Sequence, residues 1–510
     1  MKQESVVIIG AGLGGLFTGA ILAKEGYSVT LLEQNATIGG GLQTFERFGE
    51  VFDTGMHVIG GMRQGGNIRK ICNYLGILDK VKLMDVDATC TDRLYFAEDQ
   101  TFYTISQGRK GFVDSLAQQF PEEKTNLERY VDAVFSLTEQ IDLFNLRPSE
   151  DYLNLFAHSE AFLTSADDFI AQFVDSPKLR SVLAYMNPLY GGKAHQTPAY
   201  IHAIISTLYI TGASRFIDGS SHFADLLANV ITSHGGAIYP GDGVKWIEVN
   251  SERKIEYVKT IKGKQYKADY YISDIHPCTL LRLMDAKAFP KSYRERLDSI
   301  PNTFSAFSLY IKLKEDSFPY LNYSEYYMTR YDDIWNFDNT DKPWPLGFLF
   351  MTPPVSPQGA YSRKALVTAP MPFDIVRRFD VDGTRKRGEG YSQWKQEMAD
   401  RLLALIEEIH PGFQQCIEAV NTASPLTIRD YFGAKEGTIC GFSKDCRNMT
   451  LSQVPVVTKI KNLLLTGQNN NLHGFCGVPL TAINTSEVLL GKNYVINRIN
   501  ACNEHSSSIS

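Results

Sequence analysis

Gly10, Gly12 and Gly15 stand in the spacing G-x-G-x-x-G directly after a short, β-branched apolar run over residues 5–9. Residue types in that order can hold a diphosphate. The run reads as a buried parallel strand. Gly10 permits a tight turn out of it, Gly12 lets the backbone approach a pyrophosphate, and Gly15 lets the next helix pack closely. The amphipathic stretch 16–25, stopped by Gly26, supplies that helix. Its free N–H groups and positive dipole end would face the anion. A second strand over 28–32 ends in Glu33, close to the offset of roughly 20 residues at which an acid binds ribose hydroxyls. An acid there selects a free 2′-hydroxyl over a 2′-phosphate. Glycines alone make ordinary turns, but strand, glycines, helix, strand and acid in register point to a dinucleotide.

The rest of the chain must position that ligand and supply something for it to act on. With 510 residues the chain can build large cores in more than one domain. Its 44% hydrophobic and 21% charged residues describe an ordinary globular protein. A net charge of −6 with no basic arm gives no pull toward nucleic acid. Eight cysteines, none in a C-x-x-C pair, suggest neither a zinc ribbon nor a disulfide scaffold and fit a reducing compartment. The glycine motif begins too near Met1 for a secretory leader. The longest apolar run, 201–210, falls short of the roughly 18–20 residues a spanning helix needs. A cytoplasmic location is expected, with peripheral membrane contact at most.

Three consecutive glycines, Gly39-Gly40-Gly41, follow the ribose-binding acid, then Leu42, and Phe52-Asp53-Thr54-Gly55-Met56-His57-Val58-Ile59-Gly60-Gly61 comes next. An NAD dehydrogenase would go straight into its next crossover helix here. Glycine-lined loops suit FAD instead, passing its ribityl chain and reaching its isoalloxazine ring. The first sixty residues resemble the flavin amine oxidase and phytoene desaturase superfamily. The stretch 52–60 is most similar to that of retinol saturases and carotenoid isomerases, which belong to the phytoene desaturase branch.

The resemblance implies an α/β fold. A Rossmann-type FAD-binding domain, glutathione-reductase-like and amine-oxidase-like, would carry an inserted mixed α+β substrate domain. The expected division is an FAD-binding part over 1–108, a helical insertion over 109–214, FAD-binding again over 215–300, a mixed-sheet substrate domain over 301–425, and the last FAD-binding part over 426–500. Residues 501–510 form an expected disordered tail. In the insertion, helices are expected over 111–120, 127–144, 167–173 and 201–210 from apolar spacing. In the second excursion, 305–313 alternates as a half-buried strand with Phe307, Leu309, Ile311 and Leu313 on one face. Further strands are expected over 326–329, 347–352 and 365–369, and a helix over 394–409. The basic run Arg377, Arg378, Arg385, Lys386, Arg387 is solvated surface or a contact for anionic head groups.

By resemblance, Val244 lies on the adenine side, Gly467 and Gln468 contact the diphosphate and ribityl chain, and Gly477-Val478-Pro479-Leu480 opens a long helix toward the flavin's pyrimidine end. Two departures stand out. Ser220 follows Gly219 where the family has two glycines, and Gln468 stands where it more often has an acid. The expected cofactor set is Gly10, Gly12, Leu13, Gly14, Gly15, Glu33, Gln34, Gly40, Gly41, Leu42, Gly55, Met56, His57, Val244, Gly467, Gln468, Gly477, Val478, Pro479 and Leu480.

No metal-ligand spacing, nucleophile elbow or kinase signature occurs, so no metal is expected. The hard chemistry then belongs to the flavin. The resemblance implies an FAD-dependent oxidoreductase acting on a carbon–carbon double bond of a hydrophobic polyene or isoprenoid lipid. Saturation of such a bond needs a proton as well as a hydride, and His57, Tyr190 and His473 are the candidates by position. Core hydrogen bonding is the alternative role for each. Cys476 offers a thioether to the flavin or merely a buried small hydrophobe. No second complete glycine motif follows a strand, so an external electron donor or acceptor is expected. An amine-oxidase-like attack on a C–N bond and a flavin-stabilised lipid carrier remain open. Nothing in the sequence speaks to oligomeric state.

Overall fold

The computed structural model describes residues 3–150, 160–383 and 385–507. Its organising element is a five-stranded sheet in the order Leu463–Leu465, Tyr270–Ser273, Ser5–Ile9, Ser28–Leu32, Ala237–Tyr239, every neighbouring pair parallel. Val6, Val7, Ile8 and Ile9 are all buried there. That is the outcome expected of a β-branched run covered on both faces, each side chain contributing about 1.5–3 kcal/mol. Val6 and Ile8 lie on the helix Leu13–Lys24, and Val7 and Ile9 on Ile247, Ile255 and Val258 of a small antiparallel sheet. The helix Leu13–Lys24 packs on this sheet against the helix Gly474–Leu490, near the other end of the chain. The two ends of the chain thus close one domain.

A seven-stranded sheet forms the second layer, in the order Ile417–Ala423, Ser305–Leu313, Lys364–Met371, Gly347–Met351, Ser324–Met328, Asp92–Phe96, Thr101–Ile105. Its pairs are antiparallel except Ser324–Met328 with Asp92–Phe96. The last two strands lie in residues expected to belong to the first FAD-binding part, 1–108. Their pairing places them in the seven-stranded sheet instead. The strand Ser305–Leu313 also departs from a half-buried one: eight of its nine residues are buried. Phe307, Leu309, Ile311 and Leu313 pack with Trp394, Met398, Leu402 and Ile406 of the helix Tyr391–Ile409. The opposite face is covered as well, by the rest of the molecule.

Helices Arg109–Ala117, Lys124–Glu139, Ala166–Ala171, Pro177–Leu183 and Ala199–Thr211 form a cap over that second face. Among the described residues no helix is long and apolar enough to cross a membrane. In the basic run, Arg377 meets Asp374 at 2.7 Å and Glu436 at 3.2 Å, Arg387 meets Asp430, and Arg385 lies over the Tyr431 ring. Much of that charge is answered locally.

Two further expectations are corrected. Residues expected in a disordered tail continue the helix Tyr494–Ser507, while 508–510 lie outside the described residues. The helix is held because Val495, Ile496 and Ile499 are buried and the Glu487 carboxylate accepts the N–H groups of Asn493 and Ile496. The helix expected to open at Gly477 begins at Gly474, so Pro479 sits inside it. The proline leaves the Phe475 carbonyl without its usual i+4 donor.

Candidate active site

One cleft runs from the glycine loop into the space between the seven-stranded sheet and the helical cap. At its first end Gly10 takes φ +99°, and a Cβ on Gly15 would overlap the Gly10 carbonyl oxygen. The turn and the close helix–strand packing therefore both require glycine. Glu33 ends its strand 6% exposed, one carboxylate oxygen accepting the Ala11 N–H at 2.8 Å and the other the Asn35 N–H at 2.8 Å. Burial raises its pKa, and those two N–H groups work against the rise. Asn35 in turn donates to the Tyr431 carbonyl at 2.8 Å, which brings Tyr431 and Phe432 onto the wall beside Gln34, Gly243 and Val244.

At the other end, strand pleating supplies the floor. Ser308 pairs with Thr368, Thr368 with Leu349, and Leu349 with Tyr326. Residues in lateral register share a face, and all four line the cleft, with Ala306 and Pro370 one step along the same faces. Ser308 and Thr368 are joined through their hydroxyls at 3.5 Å. Overhead, Ile205, Leu208 and Tyr209 fall at helical spacing on one side of Ala199–Thr211 and form the roof. The named walls of this chamber carry no charge and are largely apolar. Among the described residues lining the cleft the only acids are Glu33 and Asp274, both at the glycine-loop end, and there is no Lys or Arg.

Of the expected site residues, Gly10, Gly12, Leu13, Gly14, Glu33, Gln34, Gly40, Gly41, Gly55, Met56, His57, Val244, Gln468, His473 and Val478 line this cleft. Gly15, Leu42, Gly467, Gly477, Pro479 and Leu480 lie behind its wall. Leu42 and Leu480 are core residues, and Pro479 is inside a helix. Tyr190 is corrected more sharply. Its hydroxyl lies 3.1 Å from Nδ1 of His202, whose Nε2 lies 2.7 Å from the Tyr130 hydroxyl, and all three are buried off the cleft. Cys476 lines the cleft, but its sulfur contacts the Asn67 side chain, and burial pushes the thiol up to about 12. A thioether needs the thiolate, which that burial suppresses.

Sequence reasoning missed Asp274 and the chamber walls. The signal for Ser308 was present: alternation that assigns Phe307 and Leu309 to one face assigns Ser308 to the other.

The buried polar atoms test whether FAD fits here. His57 lines the cleft with Nδ1 buried and unpartnered, and His473 lines it with both ring nitrogens in that state. Burial lowers the pKa of His57, and burial with the nearby Lys444 charge lowers that of His473 to about 3. Lys444 itself is buried, donates to the Asn470 carbonyl at 3.0 Å and is lowered to about 8. Buried imidazole nitrogens without partners are costly. They fit a cleft whose polar partner is a bound ligand. Helix N-terminus, the Glu33 carboxylate and orphaned nitrogens along one groove accord with an extended dinucleotide.

Residues 13–339 match the family model described as flavin containing amine oxidoreductase. The all-trans-retinol 13,14-reductase of Rattus norvegicus is 27% identical, the match covering 96% of this chain and 86% of that protein. Prolycopene isomerase 2 of an Oncidium hybrid cultivar is 22% identical over 86% of this chain and 75% of its own. Among solved structures, wild-type putrescine oxidase superposes with a TM-score of 0.63 at 14% identity, covering 96% of this chain and 99% of that one. That likeness is of fold. On the family match, the chain belongs to the flavin-containing amine oxidoreductase family and is an FAD-dependent oxidoreductase.

Proposed function

We propose that this enzyme acts on a carbon–carbon double bond of a hydrophobic polyene or isoprenoid lipid, as a retinol saturase or carotenoid isomerase does. The observation that carries the proposal is the uncharged chamber floored by Ser308, Thr368, Leu349 and Tyr326 and roofed by Ile205, Leu208 and Tyr209, continuous with the dinucleotide groove. An extended hydrocarbon gains from burial along such walls at about 25 cal/mol per Å². No acid among the described residues stands in the chamber to draw an ammonium substrate, since Glu33 and Asp274 are at the other end of the cleft. The greater similarity to the retinol reductase than to the isomerase favours reduction.

Bound FAD supplies the two-electron chemistry. The glycine loop and Glu33 would hold its ADP half, and Gly40, Gly41, Gly55, Met56, Gln468 and Val478 would line the path of the rest. His57 and His473 are held neutral at pH 7, so each offers one N–H and one lone pair to what lies in the cleft. As imidazolium, His473 would be a poor store of protons at neutral pH, which suits it to orientation more than to acid catalysis. Electrons would come from an external carrier. The basic run 377–387, with Arg377 and Arg387 already paired to acids, supports no more than peripheral contact with a membrane that delivers the lipid.

Anaerobic stopped-flow spectroscopy with retinol, a carotenoid and an unsaturated fatty acid tests the reading. Reoxidation of pre-reduced flavin by a polyene means saturation, and bleaching of oxidised flavin means desaturation. Bleaching by amines and silence with every polyene would overturn the proposal in favour of C–N oxidation, with the Tyr209 and Tyr326 rings facing the amine.

A further inference from the structure

The diphosphate cradle is filled by the chain's own carboxylate. Asp274 follows the strand Tyr270–Ser273, and its N–H donates to the Ile9 carbonyl at 2.9 Å, which aligns it with the glycine loop across the sheet. Its carboxylate lies over the glycine loop, where the backbone N–H groups of Gly15 and Gly12 favour its ionised form. One oxygen sits 2.6 Å from where a Cβ of Gly12 would be, and the other fills the space above Gly14 and Gly467. These are the donors that the N-terminus of Leu13–Lys24 would present to a diphosphate. A carboxylate placed over them offers what a diphosphate offers, an anionic oxygen toward N–H.

We propose that Asp274 guards the diphosphate site of this enzyme and that FAD binds with uptake of one proton from solvent at its carboxyl. A diphosphate entering beside an ionised Asp274 brings like charges together in a poorly solvated cleft. Protonation removes that charge and turns an acceptor into an O–H donor toward phosphate oxygen. The groups around it reinforce this. Glu33, from the end of Ser28–Leu32, adds a second negative charge. The first turn of Leu13–Lys24 holds no acid, and the Gly467–Gln468 turn on the other side is neutral. His276, two residues on, is occupied with Asn302 at 3.0 Å. Among the described residues no Lys or Arg lines the cleft to offset the charge. Burial and Glu33 push the Asp274 carboxyl up to about 7 while the two glycine N–H groups oppose the rise, so the exchange falls at neutral pH.

The inference rests on the FAD site and not on the identity of the substrate, so failure of polyene turnover leaves it untouched. The full-length apoprotein is titrated with FAD by flavin fluorescence from pH 6 to 9, and calorimetry in two buffers of different ionisation enthalpy counts protons. The wild type should lose affinity about tenfold per pH unit above pH 7 and take up one proton at pH 8, the linkage for a single site. Asp274→Asn should bind FAD at least tenfold tighter at pH 8.5, with a flat pH profile and no proton uptake. A wild type that takes up no proton overturns the proposal without reference to any variant. So does an Asp274→Asn protein that keeps the wild-type slope, or a slope abolished by Glu33→Gln alone.

Discussion

The hydroxyl of Tyr190 lies 3.1 Å from Nδ1 of His202 behind the roof of the chamber, and the pair is closed off from the cleft. With Tyr130 on the other ring nitrogen, a neutral imidazole donates to one phenol and accepts from the other. The network braces the helix Ala199–Thr211 from behind. Tyr190→Phe should therefore lower stability by about 1–3 kcal/mol, the usual result of stranding a buried partner. Its turnover should stay within about twofold of wild type. Urea denaturation and steady-state assays on the same preparation decide it, and a hundredfold loss of turnover at intact stability would return Tyr190 to the catalytic set.

His202 also makes stability depend on pH. Burial lowers its pKa from 6.5 to about 4 in the folded chain. The unfolded chain binds the proton first, so the stability owed to the neutral ring is present above pH 6.5 and drains as pH falls toward 4. His202→Gln keeps a donor and an acceptor but cannot titrate. The stability difference between variant and wild type should shift in the variant's favour by about 1.4 kcal/mol per pH unit between pH 6.5 and 4. A difference that stays constant over that window would mean that the imidazole is charged in the native state.

Legibility in the sequence followed the range of the interactions. The strand Ser5–Ile9, its glycine loop and Glu33 were readable because five local features must agree within about thirty residues. Parallel pairing of Asp92–Phe96 with Ser324–Met328 was not, because it joins segments more than two hundred residues apart that share no local signal. Tyr190 was misplaced because nearness in sequence to the cleft residues Pro188 and Leu189 does not fix the direction of a side chain. Gly474 was missed as a helix start because a proline at 479 looks like a first-turn residue, and only packing overrides that preference. Asp274 looked like an ordinary acid after a strand. Its aim at Gly12 and Gly15 is a property of the assembled sheet.

Glu33 and Asp274 should respond to mutation in opposite senses. Glu33 anchors the loop through Ala11 and Asn35 and faces the cleft with hydrogen-bonding capacity left for a ribose. Glu33→Ala removes charge-assisted bonds of about 1.5–3 kcal/mol, so FAD should bind roughly 10- to 100-fold more weakly. Flavin fluorescence titration at pH 6.5, where Asp274 is largely protonated, isolates the effect. Unchanged affinity would remove Glu33 from the ribose site.

The chamber floor should control substrate without touching the cofactor. Leu349 sits between Thr368 and Tyr326 in the lateral row. Leu349→Gln replaces apolar wall with an amide that a hydrocarbon cannot satisfy. A cost of about 1–3 kcal/mol should lower kcat/KM for a polyene by roughly 10-fold or more, with flavin content and spectrum unchanged. Equal kcat/KM in the two proteins would move the substrate elsewhere.

His473 separates a binding role from a structural one. It stands at the N-terminus of Gly474–Leu490, 7% exposed, with neither ring nitrogen bonded to the protein. In the apoprotein those nitrogens are a liability, and the Lys444 ammonium nearby adds to it. Leucine carries no polar atoms to strand, so His473→Leu apoprotein should be as stable as wild type or more stable by about 1 kcal/mol. Loaded with FAD, the order should reverse, because the wild-type imidazole then has a partner in the cleft and the leucine does not. Turnover should fall at least tenfold in the variant. Urea denaturation of both proteins, with and without FAD, measures the four free energies needed. A variant destabilised by several kcal/mol in both states would mean that the ring is held by the protein itself, and its place on the cleft wall would then be architecture and not chemistry.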